Sequence, residues 1–247
     1  MVTNIYVTDL LRKFDKTIFG GDPVMYPNKN MDYKQKVKSL DWLAHNAVQL
    51  RVEKPAGFEY QAGDAVEIKV GDQDSGPFTM TNLPDESYLE FVIRIYPDHN
   101  GKTKAISKLS AGDEIEFTEP FGTFQEKEGA IFLAGGTGIT PFLAIMRKMY
   151  EVGKLENSLL FFSNKTRKDL FLEKELRAML GDRYQNVITE DKEDPEYYGE
   201  IDGDYLKNRI GDLSKPLFIC GPPPFDKAMQ EIAESIGIET NNMNLSS

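Results

Sequence analysis

The amino-acid sequence predicts two successive domains of different class, an antiparallel β-barrel followed by an α/β domain built on a parallel sheet. From residue 34 to residue 119, apolar and polar residues alternate in short runs separated by turn signals, which is typical of strands with one buried face. After Gly129, continuous apolar runs alternate with stretches of helical periodicity, which indicates parallel strands covered by helices. A length of 247 residues gives room for two compact domains.

The elements of the predicted barrel are three alternating runs at residues 48–52, 65–70 and 89–95. Turn signals rich in Gly, Pro, Asn or Asp divide this region at residues 55–57, 62–64, 82–85 and 111–113. Short antiparallel strands at this spacing form a sandwich or a barrel. We expect Trp42 to pack in the barrel wall together with Leu43 and Val48.

The elements of the second domain are four apolar strands, at residues 130–134, 158–162, 186–188 and 216–220, and three helices, at residues 141–150, 170–180 and 224–236. A charged connector at residues 124–129 separates the two patterns. We therefore predict a barrel domain over residues 31–126 and an α/β domain over residues 127–247. Residues 1–30 are rich in Gly and Pro towards their end and predict an N-terminal arm of unknown role.

The charge and composition exclude several classes of function. With 40 acidic and 29 basic residues the net charge is −11, so sequence-independent binding to nucleic acid is not expected. Cys220 is the one cysteine, and His45 and His99 are the two histidines, so we predict no metal site. No stretch reaches the ~18–20 consecutive apolar residues of a membrane span. Because no secretory signal layout opens the chain either, we expect a cytoplasmic protein.

The strongest local motif is a glycine-rich loop between a buried strand and a helix, Ala134-Gly135-Gly136-Thr137-Gly138-Ile139-Thr140-Pro141. Glycines let the backbone turn sharply and approach a ligand closely. Thr140 can cap the helix, and Pro141 suits its first position. Free amides at the start of the helix favour an anion such as a pyrophosphate, and a strand-to-helix turn without a ligand is the alternative.

A second motif, Cys220-Gly221-Pro222-Pro223-Pro224-Phe225, follows another buried strand. Ligands of open parallel sheets bind at the carboxyl ends of the strands, so we expect the two loops to line one crevice. Taken alone, Cys220 would be a small core residue rather than a functional thiol.

Together the two loops, about 80 residues apart, resemble the pyridine-nucleotide half of the ferredoxin–NADP⁺ reductase superfamily, which includes flavodoxin reductases and NADH–cytochrome b5 reductases. In the first domain, Pro77-Phe78-Thr79-Met80-Thr81 is similar to the second half of that family's Arg-x-Tyr-Ser/Thr flavin motif. Residues 101–104 and 109–113 resemble its pyrophosphate-binding turn and helix. The resemblance covers residues 34–236 and implies an FAD-binding barrel domain followed by an NAD(P)-binding domain.

The resemblance also implies a role for each matching residue. Phe78 would stack on the isoalloxazine, and Thr79 would place its hydroxyl near flavin N5, the hydride acceptor. Cys220 would face the nicotinamide, so Thr79 and Cys220 are the candidate catalytic residues. The other implied flavin contacts are Pro77, Arg94, Lys102, Thr103 and Lys104. The other implied nucleotide contacts are Gly136, Thr137, Gly138, Thr140, Pro141, Asn164, Gly221 and Pro222.

One position departs from the family pattern. The arginine that opens the flavin motif and pairs with flavin phosphate is Gly76 here. Losing a charge-assisted hydrogen bond would weaken flavin binding by about 1.5–3 kcal/mol, and Arg94, Lys102 or Lys104 could compensate. FAD is the expected flavin, with FMN as the alternative. A Gly76→Arg substitution should tighten binding if the missing charge limits it.

The choice between NADH and NADPH depends on the residues that follow the predicted strands at residues 158–162 and 186–188. Residues 163–170, Ser-Asn-Lys-Thr-Arg-Lys-Asp-Leu, resemble the Asn-x-Thr-x-x-Asp segment of NADH-using cytochrome b5 reductases. Glu190 and Asp191 would repel a 2′-phosphate, whereas Lys165 and Arg167 would attract one. NADH is therefore expected over NADPH.

The sequence thus predicts an NAD(P)H-dependent flavoprotein reductase that passes hydride from the nucleotide to FAD and then single electrons to an acceptor. One cysteine cannot build an iron–sulfur cluster, so we expect a separate acceptor such as a flavodoxin, a ferredoxin or an oxygenase component. Two alternatives stay open: a reductase that uses loosely bound flavin as a substrate, and a flavin-free family member that serves as a binding or regulatory module.

Overall fold

The computed structural model describes residues 30–96, 101–193 and 198–245. Within these ranges the chain forms a sheet of seven strands followed along the chain by a sheet of five. The predicted arm at residues 1–30 lies, except for Asn30, outside the described residues. The arm therefore stays a prediction, without an assigned role.

The first sheet is antiparallel throughout. Its strands are β1 (Tyr33–Ala44), β2 (Ala47–Glu53), β3 (Asp64–Lys69), β4 (Gly76–Thr79), β5 (Tyr88–Arg94), β6 (Glu114–Phe117) and β7 (Phe121–Gly122). They lie in the order β4-β3-β6-β1-β2-β5, with β7 paired to β3. A short helix, α1 (Lys102–Ile106), connects β5 to β6. The three alternating runs of the sequence are thus confirmed as β2, β3 and β5.

The first sheet curls around its own apolar core. The backbone N–H of Thr81, just beyond β4, donates to the carbonyl oxygen of Glu90 in β5 at 2.7 Å, so the two outer strands of the sheet approach each other. The enclosed side chains include Val48, Leu50, Phe91, Ile93 and Phe117, all at most 1% exposed. The antiparallel half of the predicted fold is therefore confirmed.

The expectation for Trp42 is wrong, because this side chain is 54% exposed. Trp42 pairs with Val48 across the β1–β2 hairpin, but the register shifts between Trp42 and Ala44. β6 pairs with β1 only over residues 33–36, so Trp42 has a neighbouring strand on one side alone. Val48 stays in the core, whereas the indole lies at the surface.

The second sheet is parallel, with the order β10-β9-β8-β11-β12. Its strands are β8 (Ile131–Gly135), β9 (Leu159–Asn164), β10 (Tyr184–Ile188), β11 (Leu217–Cys220) and β12 (Met243–Leu245). Its helices are α2 (Thr140–Glu151), α3 (Glu173–Leu180), α4 (Gly203–Lys207) and α5 (Pro223–Ser235). Four of these strands and three of these helices correspond to predicted elements, whereas β12 and α4 carry no strong sequence signal.

Helices cover both faces of the parallel sheet. Phe132 and Ala134 of β8 pack in one apolar cluster with residues of α2 and α3, whereas Ile131 and Leu133 pack in another with residues of α4 and α5. Successive residues of a strand point to opposite faces, so a continuous apolar run is what a strand covered on both sides requires. The predicted α/β architecture is confirmed.

One helix begins later than the periodicity predicts. Residues 170–180 repeat apolar side chains at helical spacing, but α3 begins at Glu173. Leu172 has φ +55°, the left-handed region, and a residue in that conformation cannot continue a right-handed helix. The chain reaches Leu172 from a 3₁₀ turn at Arg167–Asp169, which is closed by a reciprocal pair of hydrogen bonds between Thr166 and Asp169.

A cluster of charged side chains connects the barrel strand β5 to helices α2 and α3 of the second domain. Arg147 of α2 donates to the Thr81 carbonyl oxygen at 2.6 Å, to Glu90 Oε1 at 3.0 Å and to Glu175 Oε1 at 2.6 Å. The side chain of Glu90 is 3% exposed and also accepts from Arg51 at 3.0 Å. Burial opposes the charge of Arg147, but the hydrogen bonds and charges of Glu175 and Glu90 outweigh it and raise the pKa of the guanidinium.

Over the part of the chain that the structure describes, neither a membrane-spanning helix nor a metal-binding cluster of side chains is present. None of the helices there combines the length and apolar character needed to cross a bilayer. The same residues contain no group of three or more His, Cys, Asp or Glu side chains placed to hold a metal ion.

Candidate functional site

A cavity of about 330 Å³ lies where the two domains meet. Its walls come from β4, β5 and α1 of the first domain, from β7 and the residues that follow it, and from the two predicted loops of the second domain. Nine residues that the sequence singles out line this one cavity: Pro77, Phe78, Thr79, Arg94, Thr103, Thr137, Thr140, Pro141 and Cys220.

The other candidate residues lie around the cavity without lining it. Gly136, Gly138, Gly221 and Pro222 form the backbone of the two loops, and Lys104 lies on α1. Lys102 borders an adjoining cavity of about 360 Å³, together with Tyr96, Gly101 and Thr103. Asn164 ends β9, where its side chain is buried.

The barrel side of the cavity is a short edge strand. Phe78 and Thr79 of β4 pair with Val66 and Ala65 of β3, and both are half-buried. β4 is the outer strand of the sheet order, so the residues on its cavity side are open to a ligand. Both residues line the cavity, so this wall offers an aromatic ring and a hydroxyl to a ligand.

The nucleotide-loop side begins where β8 ends. Gly136–Ile139 forms a 3₁₀ turn that leads directly into α2. Gly136 has φ +55°, a conformation that glycine adopts without strain. A Cβ on Gly138 would overlap the Cys220 carbonyl and lie 2.7 Å from the Gly221 Cα. The two predicted loops are therefore in direct contact, as the sequence predicts, and only a glycine fits between them.

The prediction that the Thr140 side chain caps α2 is wrong. Thr140 is the first residue of the helix, and no side chain caps that end. The 3₁₀ turn extends the helical backbone one residue earlier, because Ile139 already has φ −69° and ψ −21°. The Thr140 side chain is thereby released from the backbone and lines the cavity instead.

Three threonine hydroxyls in the cavity are open to a ligand. Thr79 comes from the barrel, and Thr137 and Thr140 come from the nucleotide loop. None of the three side chains hydrogen-bonds to a described residue. Hydroxyls at a partly buried site gain free energy when a polar ligand pairs with them, so the site suits a ligand with polar atoms on both halves.

Arg94 lies at the junction of the two cavity walls. Its Nη2 is 3.8 Å from Asp169 Oδ1, and its guanidinium lies over the ring of Tyr96 at 5.8 Å from the centroid. Its Nη1 is 3.0 Å from the position that a Cβ on Gly136 would take. One side chain of the barrel thus contacts both the nucleotide loop and a carboxylate of the second domain.

Asp169 is fixed by neighbours from both domains. Its carboxylate accepts from the Thr166 backbone N–H at 2.9 Å, from the Thr166 hydroxyl at 2.7 Å and from Asn46 Nδ2 at 2.6 Å. The Nε2 of His45, whose side chain is half-exposed, is 3.8 Å away. Burial would raise the pKa of Asp169, but these hydrogen bonds and the nearby His45 lower it below its ordinary value. Asp169 is therefore an anion that holds Arg94 in place.

Some residues that line the cavity were not identified as site residues from the sequence. Tyr96 and the apolar floor, which includes Ala65, Val92 and Ile93, line the cavity but were not among the candidates. Tyr96 could have been found as the aromatic residue two positions beyond Arg94, just after a strand. His99 lies outside the described residues.

The residues present fit a flavin and a nucleotide. The cavity is lined by an aromatic ring, aliphatic side chains and open hydroxyls, which suits a flat heteroaromatic ring. At the end of β9, both side-chain polar atoms of Asn164 are buried without a hydrogen-bond partner among the described residues. A buried amide in that state costs free energy unless a ligand pairs with it, and it lies at the strand ends where nucleotides bind.

Comparison with known proteins adds three relationships. Residues 132–231 match the family model of the oxidoreductase NAD-binding domain. The chain is 29% identical over 250 residues to the reductase component of propane 2-monooxygenase from Rhodococcus jostii, covering 93% of this chain and 65% of that protein. It is 26% identical over 219 residues to the ferredoxin–NAD(P)⁺ reductase component of the naphthalene 1,2-dioxygenase system of Pseudomonas putida, covering 85% and 67%.

Solved structures show the same fold. A ferredoxin–NADP⁺ reductase from Neisseria gonorrhoeae with bound FAD and NADP superposes with a TM-score of 0.74 at 17% identity, covering 87% of this chain and 98% of that one. The CS and b5R domains of human Ncb5or give 0.74 at 24% identity, covering 87% and 69%. The chain spans about two thirds of the length of the curated relatives named above. In its NAD-binding domain, its relatives and its two-domain fold, the chain is similar to proteins of the ferredoxin–NADP⁺ reductase superfamily.

Proposed function

We propose that this chain is an NAD(P)H-dependent flavoprotein reductase, with FAD bound by residues 31–126 and the nucleotide by residues 127–247. The observation that carries the proposal is the shared cavity, because Thr79 of the barrel and Cys220 of the parallel sheet line the same 330 Å³ space. A flavin held there by Phe78 and Thr79 would supply hydride acceptance from a nicotinamide and release of single electrons to an acceptor.

The chain's own residues would hold the two rings and exclude water. Phe78 offers a flat face for the isoalloxazine, and the Thr79 hydroxyl offers a hydrogen bond at its edge. Thr137 and Thr140, beside the contact between Gly138 and Gly221, offer hydroxyls to the nucleotide. Cys220 ends β11 beside the cavity and would define the position of the nicotinamide. Orientation of this kind accounts for a large part of the rate of a transfer between two bound groups.

We propose that the acceptor is a separate protein. The matched relatives named above are reductase components of oxygenase systems, and one of them carries ferredoxin in its name. The single cysteine leaves this chain without the thiolates that a Cys-ligated cluster requires. A ferredoxin or an oxygenase component is therefore the proposed acceptor, and a flavodoxin is the alternative.

The visible spectrum of the purified protein tests the proposal. We expect flavin absorption bands that copurify with the chain, or that appear when FAD is added to it, and that bleach under anaerobic conditions with NADH. A protein that bleaches only flavin free in solution would indicate that flavin is a substrate rather than a bound cofactor. A protein that neither takes up FAD or FMN nor reduces it would contradict the reductase and favour the binding module.

We propose further that NADH is the preferred nucleotide. Lys165, beyond β9, could contact a 2′-phosphate, but its Nζ pairs with Glu190 Oε1 at 2.8 Å. The backbone N–H of Glu190 also donates to the Lys165 carbonyl oxygen at 2.8 Å, which holds the two residues together. The carboxylate thus neutralises the lysine and repels a phosphate at the same place.

A Glu190→Gln substitution should therefore shift the preference towards NADPH. Both side chains are more than half exposed, so the effect is that of a screened surface pair, up to about 1 kcal/mol or fivefold in the ratio of the kcat/KM values. The measurement is steady-state reduction of a dye with each nucleotide. Glu156→Gln, at an exposed position outside the cavity, is the matched control, and an unchanged ratio in Glu190→Gln would contradict this assignment.

A further inference from the structure

The space above Gly76 is filled by another residue. Gly76 is the buried first residue of β4, and Lys102 is the first residue of α1. A Cβ on Gly76 would overlap the Lys102 Nζ and lie 2.6 Å from its Cδ and 2.9 Å from its Cε. The Lys102 ammonium also donates a hydrogen bond to the carbonyl oxygen of Ser75. Its side chain therefore crosses β4 at the position from which the side chain of residue 76 would start.

The same lysine lies at the edge of the ligand site. It borders the adjoining cavity of about 360 Å³ together with Tyr96, Gly101 and Thr103. Tyr96 and Thr103 also line the main cavity, so the two spaces adjoin along these side chains. A ligand whose ring lies against Phe78 and whose tail extends past Thr103 would bring that tail to Lys102.

Arg94 and Lys104, the other two cations proposed from the sequence, are less suitable partners for a flavin phosphate. Arg94 faces Asp169 at 3.8 Å, and its guanidinium lies against Tyr96 and Gly136, so its charge is directed at the junction between the domains. Lys104 lines neither cavity. Lys102 forms no ion pair with a carboxylate among residues 30–96, 101–193 and 198–245, and its ammonium retains donors for an anion.

We propose that Lys102 supplies the positive charge for the flavin phosphate in place of an arginine on β4, with its side chain lying in the space that a side chain of residue 76 would enter. The inference rests on the proposed flavin site and names the residue of this chain that recognises the phosphate. It also reverses the expectation for Gly76→Arg. An arginine there would push the flexible end of Lys102 aside and exchange one cation for another, so the substitution should not tighten binding.

Flavin titrations with and without a phosphate test this assignment. Riboflavin, FMN and FAD are added to flavin-stripped protein, and binding is followed by flavin fluorescence. Lys102→Met keeps the length and apolar stem of the side chain but removes the charge. We expect it to weaken FMN and FAD binding by about 10- to 100-fold, the range of a charge-assisted hydrogen bond, and to leave riboflavin binding unchanged. Lys102→Arg should restore most of the FMN affinity.

Two further variants separate charge from packing. Lys108→Met removes an exposed lysine six residues along the chain and should leave all three affinities unchanged. Gly76→Ala keeps every charge but pushes the Lys102 ammonium aside, so it should weaken FMN binding and leave riboflavin binding unchanged. In the double variant with Lys102→Met, Gly76→Ala should cause no further loss, because the two changes act on one contact.

The flavin titrations distinguish a wrong role for Lys102 from a wrong function for the whole protein. Wild-type protein that binds FMN, together with a Lys102→Met variant that binds it equally well, would overturn only the role of Lys102. An equal loss of riboflavin and FMN affinity in that variant would also overturn it, because the effect would then be structural. Wild-type protein that binds none of the three flavins would overturn both.

Discussion

Replacing Gly138 by alanine should lower kcat/KM for NADH-dependent flavin reduction by about 100-fold and leave flavin affinity unchanged. The added Cβ would overlap the Cys220 carbonyl and lie 2.7 Å from the Gly221 Cα. These are backbone atoms that cannot rotate away, so the two loops must separate. A displacement of about 1 Å between reacting groups can cost about 100-fold in rate. The proposed nucleotide site lies on these loops, whereas the proposed flavin site lies on the barrel.

The rate is measured by anaerobic stopped-flow mixing of NADH with flavin-loaded protein. Gly211→Ala is the matched control, because a Cβ at Gly211 would meet no atom within 4 Å, and its rate should equal that of the wild type. A Gly138→Ala variant that reduces its flavin at the wild-type rate would show that close contact of the loops is not needed.

Replacing Arg147 by methionine should lower the free energy of unfolding by about 3–5 kcal/mol, the range found when one partner of a buried ion pair is removed. Glu90, with a side chain only 3% exposed, would keep Arg51 as its remaining cation. The Thr81 carbonyl oxygen would also lose a donor at 2.6 Å. Because these contacts join α2 to the barrel, the variant should also loosen the contact between the two domains.

Urea denaturation measures this loss, and the next residue provides the control. Lys148 is 41% exposed and pairs with Glu126 at 3.3 Å, so Lys148→Met should cost less than about 1 kcal/mol. Adding Glu90→Gln to Arg147→Met should restore part of the stability, because it removes a buried charge that the first change leaves with one cation instead of two. Equal unfolding free energies for Arg147→Met and the wild type would contradict a structural role for the cluster.

The parts of the site that the sequence predicts are those encoded in short contiguous segments. The loops at residues 134–141 and 220–225 each follow a buried strand, and the parallel pairing of Ala134 with Cys220 brings them together. Their contact follows from the rule that ligands lie at the carboxyl ends of parallel strands. Phe78 and Thr79 were likewise identified within one five-residue motif.

The parts that could not be predicted depend on contacts between distant residues. Arg147 and Glu90 are 57 positions apart, and neither carries a local signal that names the other. Lys102 fills the space over Gly76 only because α1 follows β5 and lies against the start of β4. Trp42 was misplaced for a related reason, since β1 extends beyond its pairing with β6 at residues 33–36, and the alternation does not show which strands flank a residue.

The most direct test of the reductase is a single turnover with deuterated nucleotide. Protein loaded with flavin is mixed anaerobically with saturating NADH that carries hydrogen or deuterium at the transferred position of C4. If the cavity between Thr79 and Cys220 holds the two rings for direct hydride transfer, the bound flavin should bleach, and it should bleach more slowly with the deuterated nucleotide. Bound flavin that stays oxidised, or that bleaches equally fast with both nucleotides, would contradict the account.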